Sequence, residues 1–289
     1  MNDRPSTGPK TTAAPYPPID ATLSRAFADA LGASAPDAVQ AEFIGQMAED
    51  YVAEELPELD AAALGAGLAE LWGFAAQETD APAIRIMRAG RSDRLDVVQG
   101  DRPFLVDSVM GEIAERRIPI QAMFHAVIDV ARDKAGVRQK TGKTARESMI
   151  QVFLDPLGED QAAALIEGLN ATLSDVRMAV ADHSAMLAMA KRAIGELDAR
   201  AKDLPAAQLK EYQDFLRWLR DDHFIFLGAR IYDYPLTKSG DYAAEEPLYR
   251  PEGCLGVLRD QTRGVLRRSS EPAVLSAQLR EQLSSDTPL

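Results

Sequence analysis

The hydrophobic period of this chain switches repeatedly between residues 83 and 182, and that switching constrains the fold more than any other feature. Alternating apolar and polar residues are typical of a half-buried strand, whereas apolar residues three or four apart indicate a helix. In chain order the pattern predicts strands at 83–90 and 94–100, a helix after Pro103, strands at 118–132 and 148–156, a helix at 158–173 and a strand at 175–182. The order strand, helix, strand, strand, helix, strand describes a ferredoxin-like split βαβ layer, with both helices on one face of an antiparallel sheet.

The predicted fold class is therefore α+β, with a βαββαβ domain at 83–182. The other segments are a disordered tail at 1–18, an N-terminal helical segment at 19–80, a helical connector at 183–220 and part of a second, truncated β-rich domain at 221–289. The tail is rich in Pro and Thr and has too few apolar residues to fold. We expect the connector to break near Pro205 and a helical or disordered end to follow Pro272.

A glycine pair in the N-terminal helical segment superficially resembles a nucleotide-binding loop. Gly65-Ala66-Gly67 lacks the third glycine of a dinucleotide fingerprint, and no predicted strand precedes it. We therefore expect these glycines to serve helix–helix packing.

Composition narrows the class of partner. The 289 residues carry a formal net charge of -13 and a pI near 4.8, which argues against a nucleic-acid or anionic-membrane surface as the main role. A single cysteine, Cys254, excludes a disulfide framework within the chain and fits the cytoplasm. Because no stretch of 18 uninterrupted apolar residues occurs, neither a membrane span nor export is predicted. The composition therefore favours small ligands or other proteins as the partners of this chain.

Two nested resemblances refine this interpretation. The stretch "DRPFLVDSVMGEIAERRIPI" resembles the ACT domain, a module that commonly binds amino acids where two such domains meet. Together with "LAELWGFAAQ" before it and "FLRWLRDDHFIFLGARIYDY" and "GCLGVLRD" after it, the chain from about residue 40 to its end resembles the N-terminal region of the large bacterial NAD-specific glutamate dehydrogenases.

The resemblance implies a fragment without an active site, since the catalytic domain in that family lies well downstream. The parent would convert L-glutamate, NAD and water to 2-oxoglutarate, ammonium and NADH. NAD would be a cofactor of the parent only, and this region would contact the downstream catalytic domains and homo-oligomer partners or transmit an amino-acid signal. The alternative is an independent ACT-like amino-acid-binding regulatory protein.

The junction between the second predicted strand and the helix after Pro103 is the candidate effector loop. Its residues are Gly100, Asp101, Arg102, Phe104, Leu105, Asp107 and Ser108. Pro103 suits the first position of a helix, whose unpaired N–H groups near Phe104 and Leu105 would receive a carboxylate. Asp101 or Asp107 would then pair with an ammonium group.

One residue of this loop departs from the ACT pattern, which usually places glycine directly after the proline. Here Phe104 follows Pro103 and would block or reshape the pocket. The competing interpretation is structural, with Asp101 capping the helix, Ser108 on its polar side and Phe104 packed under the loop or against a partner subunit.

A complete enzyme within these 289 residues is the least favoured class. We find neither the glycine turn nor the positioned proton-transfer group that a nicotinamide enzyme needs. The residues His125, His183 and His223 show no metal-ligand spacing, so no metal site is predicted. We expect His125 to lie at a surface or interface, His223 to stand at the start of a strand, and Cys254 to be a small buried residue.

A basic loop is the remaining candidate. It carries Arg132, Lys134, Arg138, Lys140, Lys143 and Arg146. These cations would meet an acidic neighbour or a phosphorylated ligand, or they would form a solvated hairpin. The hairpin is favoured because no aromatic residues interleave with the charges, as base stacking would require.

Overall fold

Three helices precede the first strand in the computed structural model, which describes residues 21–49, 60–77, 81–199, 201–202, 205–233, 248–260 and 262. They are α1 (Ala21–Ala30), α2 (Ala38–Glu49) and α3 (Ala61–Phe74). The N-cap of α3 is Asp60, whose side chain accepts a hydrogen bond from the N–H of Ala63 at 2.8 Å. The predicted tail at 1–18 and the end after Pro272 lie outside the described residues.

The close approach of α1 to α3 requires glycine. A Cβ on Gly65 would lie 2.6 Å from Cβ of Ala26 and 2.9 Å from the backbone N of Phe27. The expectation that the Gly65-Ala66-Gly67 segment packs helices together is confirmed at this contact.

A five-stranded antiparallel sheet follows the helices. Its strands are β1 (Ala83–Ala89), β2 (Ser92–Gly100), β3 (Ile120–Arg132), β4 (Arg138–Gln139) and β5 (Thr144–Leu154), with α4 (Leu105–Glu115) between β2 and β3 and α5 (Glu159–Ala199) after β5. The strand order is β1-β2-β5-β3-β4. The four long strands and the start of α5 agree with the prediction, and α4 lies between the second and third strands as predicted.

The predicted strand at 175–182, which would have closed the ferredoxin-like layer, is wrong. These residues lie inside α5, which runs unbroken for 41 residues. The alternation of Val176, Met178 and Val180 imitates a strand, but residues 174–182 contain no proline or glycine that would stop the helix. The sheet position beside β2 is filled instead by β1, which forms an antiparallel hairpin with it.

One face of the sheet and the three N-terminal helices share a hydrophobic core. Its largest fully buried members are Phe27, Phe43, Ile44, Met47, Leu64, Leu68, Leu71, Phe124, Ile128 and Met149. The opposite face of the sheet carries buried Leu95, Val97, Ile150 and Val152. Helices α4 and α5 bury Leu105, Val109, Ile113, Leu165 and Leu169. Because a buried apolar face of a sheet needs a covering layer, we place α4 and the first turns of α5 on this second face.

The edge of β3 is closed by a side chain from α2. The Oε1 of Gln46 accepts a hydrogen bond from the N–H of Val127 at 2.7 Å, and its Nε2 donates to the Val127 carbonyl at 3.0 Å. An amide that pairs with both backbone groups of one residue blocks the addition of another strand there.

The chain divides into two compact units, with the boundary between Ala171 and Thr172 inside α5. In the second unit, α6 (Ala206–Trp218) begins directly after Pro205, so the predicted break in the connector is confirmed. Two short ladders follow, β6 (Gly228–Ala229) with β9 (Leu255–Gly256) and β7 (Tyr232–Asp233) with β8 (Leu248–Tyr249). Among the described residues, none of the helices is long and apolar enough for a membrane span.

Candidate functional site

The candidate effector loop starts its helix later than predicted. Helix α4 begins at Leu105, so Pro103 lies in the preceding turn rather than at the first helical position. Its N-cap is Phe104, with a φ of 69° and a ψ of 11°, and the cap makes no side-chain hydrogen bond to the helix. A left-handed phenylalanine is uncommon, because its Cβ crowds the following carbonyl.

Asp101 does not cap α4, contrary to the structural interpretation. Its N–H donates to the carbonyl of Arg146 at 2.9 Å, and its Oδ2 lies 3.3 Å from Nε of the same residue. The loop is closed on its other side by Arg102, whose Nε donates to the Gly100 carbonyl at 3.3 Å. These contacts hold the loop against the start of β5.

The remaining loop residues divide between core and surface. Leu105 is buried, whereas Phe104 is 45% exposed and is therefore not packed under the loop. Asp107 is exposed, and Ser108 is half-buried with its N–H donated to the Phe104 carbonyl at 3.0 Å. The fold thus keeps the candidate residues in one short loop and helix start. Effector binding there stays a prediction.

Half of the basic loop is built into the fold, which corrects the expectation of a solvated hairpin. The Nε and Nη2 of Arg132 pair with the two carboxylate oxygens of buried Glu147, and Nη2 also donates to the Ala75 carbonyl at 2.8 Å. Arg146 pairs with Asp101 as described. Lys134, Lys140 and Lys143 are exposed.

Arg138 crosses the end of α3 and stacks on an aromatic ring. Its Nη2 donates to the carbonyls of Trp72 at 3.0 Å and Ala75 at 2.6 Å, and its guanidinium lies 3.7 Å from the centre of the Trp72 ring. Cations at a helix C-terminus satisfy its unpaired carbonyls and complement its dipole. Burial, and next the charge of Arg132, lower the pKa of Arg138 to about 10, so it remains a cation at neutral pH.

A buried ion network also attaches α3 to the sheet, and sequence reasoning missed it. Asp96 of β2 is fully buried and accepts hydrogen bonds from Arg85 Nε at 2.8 Å, Arg94 Nε at 3.2 Å and Gln151 Nε2 at 2.9 Å. Arg94 also reaches the Glu70 carboxylate on α3 at 2.7 Å. The signal was present as charged residues inside alternating strands, but their partners come from distant segments.

The histidines and the cysteine are separate from one another. Nε2 of His125 lies 2.9 Å from Oγ of Ser148, and His183 is exposed on α5. His223 ends a π-helical turn rather than starting a strand, and its Nδ1 donates to the Trp218 carbonyl at 2.9 Å. Cys254 is buried, as predicted.

Comparison with known proteins identifies the domain that contains this loop. Residues 43–169 match the family described as glutamate dehydrogenase, ACT1 domain. Residues 43–169 are therefore similar to a glutamate dehydrogenase ACT1 domain, and we refer to this matched region below as the ACT1 domain. The matched region extends from α2 to the first turns of α5, so the sheet, the effector loop and the α3 contacts all belong to the ACT1 domain.

Two curated relatives are much longer than this chain. The chain is 32% identical over 207 residues to an NAD-specific glutamate dehydrogenase of Halomonas elongata, which covers 64% of this chain and 12% of that protein. It is 33% identical over 142 residues to an NAD-specific glutamate dehydrogenase of Pseudomonas aeruginosa, with 46% of this chain and 9% of that protein covered. The sequence therefore spans only about a tenth of the length of these relatives.

Proposed function

We propose that this chain is the N-terminal regulatory and assembly region of a large NAD-dependent glutamate dehydrogenase. The observation that carries the proposal is the ACT1 domain, in a sequence that aligns with 12% and 9% of two proteins named as NAD-specific glutamate dehydrogenases. On this proposal the parent oxidises L-glutamate to 2-oxoglutarate and ammonium and reduces NAD, while NAD and the catalytic residues lie outside this sequence.

The regulatory part of the proposal assigns amino-acid binding to the loop at 99–108. The carboxylate of the amino acid would accept hydrogen bonds from the first N–H groups of α4, where Phe104 supplies no side-chain cap. Its ammonium group would pair with Asp101, whose carboxylate is already held near the surface by Arg146. The carboxylate and the ammonium group of the amino acid would then both bind within the loop at 99–108.

The backbone of Phe104 supports a role other than packing. A non-glycine residue in the left-handed region costs about 1–3 kcal/mol and tends to occur at binding and switch sites. Here the strained residue also exposes nearly half of its ring, so burial of the ring does not offset the strain. An effector or a second ACT1 domain that covers Phe104 would supply the missing apolar contact.

Calorimetric titration of the purified chain with a panel of amino acids tests the effector assignment. We expect saturable heat in the unaltered chain and none in Asp101→Ala. Arg146→Ala is the matched control, because it breaks the same ion pair but leaves the carboxylate of Asp101 in place. Absence of heat with every amino acid, or equal loss in both variants, would reject the loop as an effector site.

The catalytic part of the proposal has its own assay. We expect no increase in NADH absorbance when the purified chain is mixed with L-glutamate and NAD at high protein concentration. Steady glutamate-dependent production of NADH by the chain alone would show that it contains an active site, and the proposal of a non-catalytic region would then be wrong.

A further inference from the structure

A cavity of about 500 Å³ lies in the first unit, away from the effector loop. Three segments line it together with Trp72 of α3: the N-cap and first turn of α2 at 37–40, the end of β3 at 129–131, and the hairpin at 138–144. None of the residues at 99–108 lines it. Its volume falls within the range of small-molecule pockets and exceeds what a single inorganic ion needs.

The polar lining carries charges of both signs. Arg138 and Lys140 are its cations, and Asp37 and Asp129 are its carboxylates. The hydrogen bonds of Arg138 to Trp72 and Ala75 end on neutral carbonyls, and the negative charge of nearby Glu147 is taken by Arg132. Within the described part of the chain, the Nε of Arg138 is buried without a hydrogen-bond partner. Among the described residues, no acceptor therefore satisfies the Nε–H of Arg138, which remains a donor for a bound anion.

The start of α2 adds backbone donors to the same cavity. A reciprocal capping box joins Asp37 and Gln40, in which the N–H of each residue donates to the side chain of the other at 2.8 and 2.9 Å. The N–H groups of Ala38 and Val39 lie between them, at helix positions that have no intrahelical acceptor. An anion in the cavity would therefore meet two cationic side chains and a helix N-terminus.

The remaining lining suits a short carbon skeleton. Val39, Val130 and Ala131 supply aliphatic surface, and Trp72 supplies aromatic surface beside the Arg138 guanidinium. Asp37 also borders the cavity, and one of its carboxylate oxygens accepts the cap hydrogen bond from Gln40. Cationic, apolar and acidic groups within one cavity match a small organic acid, with or without an amino group.

We propose that this cavity of the ACT1 domain binds a small organic acid, whose carboxylate pairs with Arg138 and Lys140. The site is separate from the effector loop, so the proposal does not depend on amino-acid binding at 99–108. Both a 2-oxo acid and an amino acid contain the required carboxylate, and only the amino acid adds a cation that the carboxylates of Asp37 and Asp129 would accept.

The two tryptophans of the chain allow a selective optical test. They are Trp72, in the cavity, and Trp218, in the second unit. In a Trp218→Phe background, Trp72 is the only indole, and its fluorescence is titrated with 2-oxoglutarate, L-glutamate, L-leucine and inorganic phosphate. We expect saturable fluorescence changes with at least one organic acid, and weaker binding as salt is raised.

Lys140 is the residue to change, because it is exposed and its loss leaves the cap of α3 intact. Lys140→Ala should weaken binding roughly tenfold, the effect of losing one charge-assisted contact. Lys134→Ala is the matched control, since it removes the same charge from the same hairpin outside the cavity. Circular dichroism of each variant checks that the fold is retained.

The outcomes separate cleanly. Binding of either acid that is weakened by Lys140→Ala and unaffected by Lys134→Ala supports the site, and a preference for L-glutamate over 2-oxoglutarate shows that the ammonium group meets the carboxylates of the lining, Asp37 and Asp129. No fluorescence change up to millimolar acid, equal effects of both lysine variants, or equally tight binding of phosphate would overturn it. The Asp101→Ala variant should bind normally in this assay, so failure of the effector loop and failure of the cavity are distinguishable.

Discussion

Two buried carboxylates, Asp96 in the sheet of the ACT1 domain and Asp182 in α5 of the second unit, use similar partners in different surroundings. Asp96 is 0% exposed and accepts hydrogen bonds from two arginines and a glutamine. Asp182 is 7% exposed and accepts from the N–H of Gly256 at 2.7 Å and from Nη2 of Arg259 at 2.7 Å. The Arg259 side chain is 56% exposed, so water competes for this second pair.

The surroundings of each carboxylate determine how much of the structure its ion pairs stabilise. Around Asp96 the sheet is continuous, and an aromatic group of Phe27, Phe43 and Trp72, with ring centres 5.2–6.4 Å apart, fixes the helices above it. Around Asp182 each described strand of the second unit is two residues long. We infer that Asp96 stabilises the whole ACT1 domain, whereas Asp182 attaches one short segment, which contains Gly256 and Arg259, to α5.

Asp96→Ala should lower the free energy of unfolding more than any other substitution proposed here. Removal of this carboxylate leaves Arg94, whose side chain is 6% exposed, as a buried cation that still pairs with Glu70 and contacts Sδ of Met87. Breaking a buried pair from one side typically costs about 3–5 kcal/mol of unfolding free energy. Urea denaturation should show that loss for the ACT1 domain, while Asp129→Ala, an exposed carboxylate on β3, should leave the midpoint nearly unchanged. Equal midpoints for both variants would contradict the role given to Asp96.

Gly65→Ala should give the next largest loss of stability, because it forces α3 away from α1 without changing any charged group. The new methyl would lie 2.6 Å from Cβ of Ala26 and within 3.0 Å of two backbone atoms of α1, so the helices must separate. Overpacking of this kind costs about 1–3 kcal/mol.

The matched control lies on the same helix. Around Gly73 a Cβ would meet nothing within 4 Å. Gly73→Ala should therefore be neutral, or stabilise by up to about 1 kcal/mol through helix propensity. Thermal melting distinguishes the two variants, and destabilisation of both by the same amount would show that close approach to α1 is not the cause.

Local sequence patterns predicted the four long strands, the start of α5 and the break at Pro205, because each depends on neighbours in sequence. The strand at 175–182 was wrong, since three alternating apolar residues within a helix look like a strand in a short window. The Arg138 contact and the cavity beside it were not predictable, because Arg138 and Trp72 lie 66 positions apart. Asp101 was placed correctly in its loop, but its partner Arg146 comes from β5.

The smallest effect is expected for Asp182→Ala, and it should be local. Loss of the carboxylate removes the acceptor for the N–H of Gly256, so hydrogen exchange at that amide should accelerate by roughly tenfold, the effect of one hydrogen bond to a charged acceptor in a partly exposed site. Amides of β2 and β5 should exchange at unchanged rates. His183→Ala, which alters the exposed neighbouring residue, serves as the control.

Acidification should reproduce the effect of Asp182→Ala in the unaltered chain. The hydrogen bond from Arg259, opposed by burial and aided by the N–H of Gly256, holds the pKa of Asp182 below its ordinary value of 3.8. Because the pKa is lower in the folded state, the contribution of Asp182 is complete above the unfolded value and is lost as the pH falls through the folded one. After correction for the intrinsic pH dependence of exchange, protection at Gly256 should therefore decline below about pH 3.8 in the unaltered chain and stay flat in Asp182→Ala. A decline of equal size in both chains would place the acid-sensitive group elsewhere and would leave Asp182 as a hydrogen-bond acceptor whose protonation does not matter.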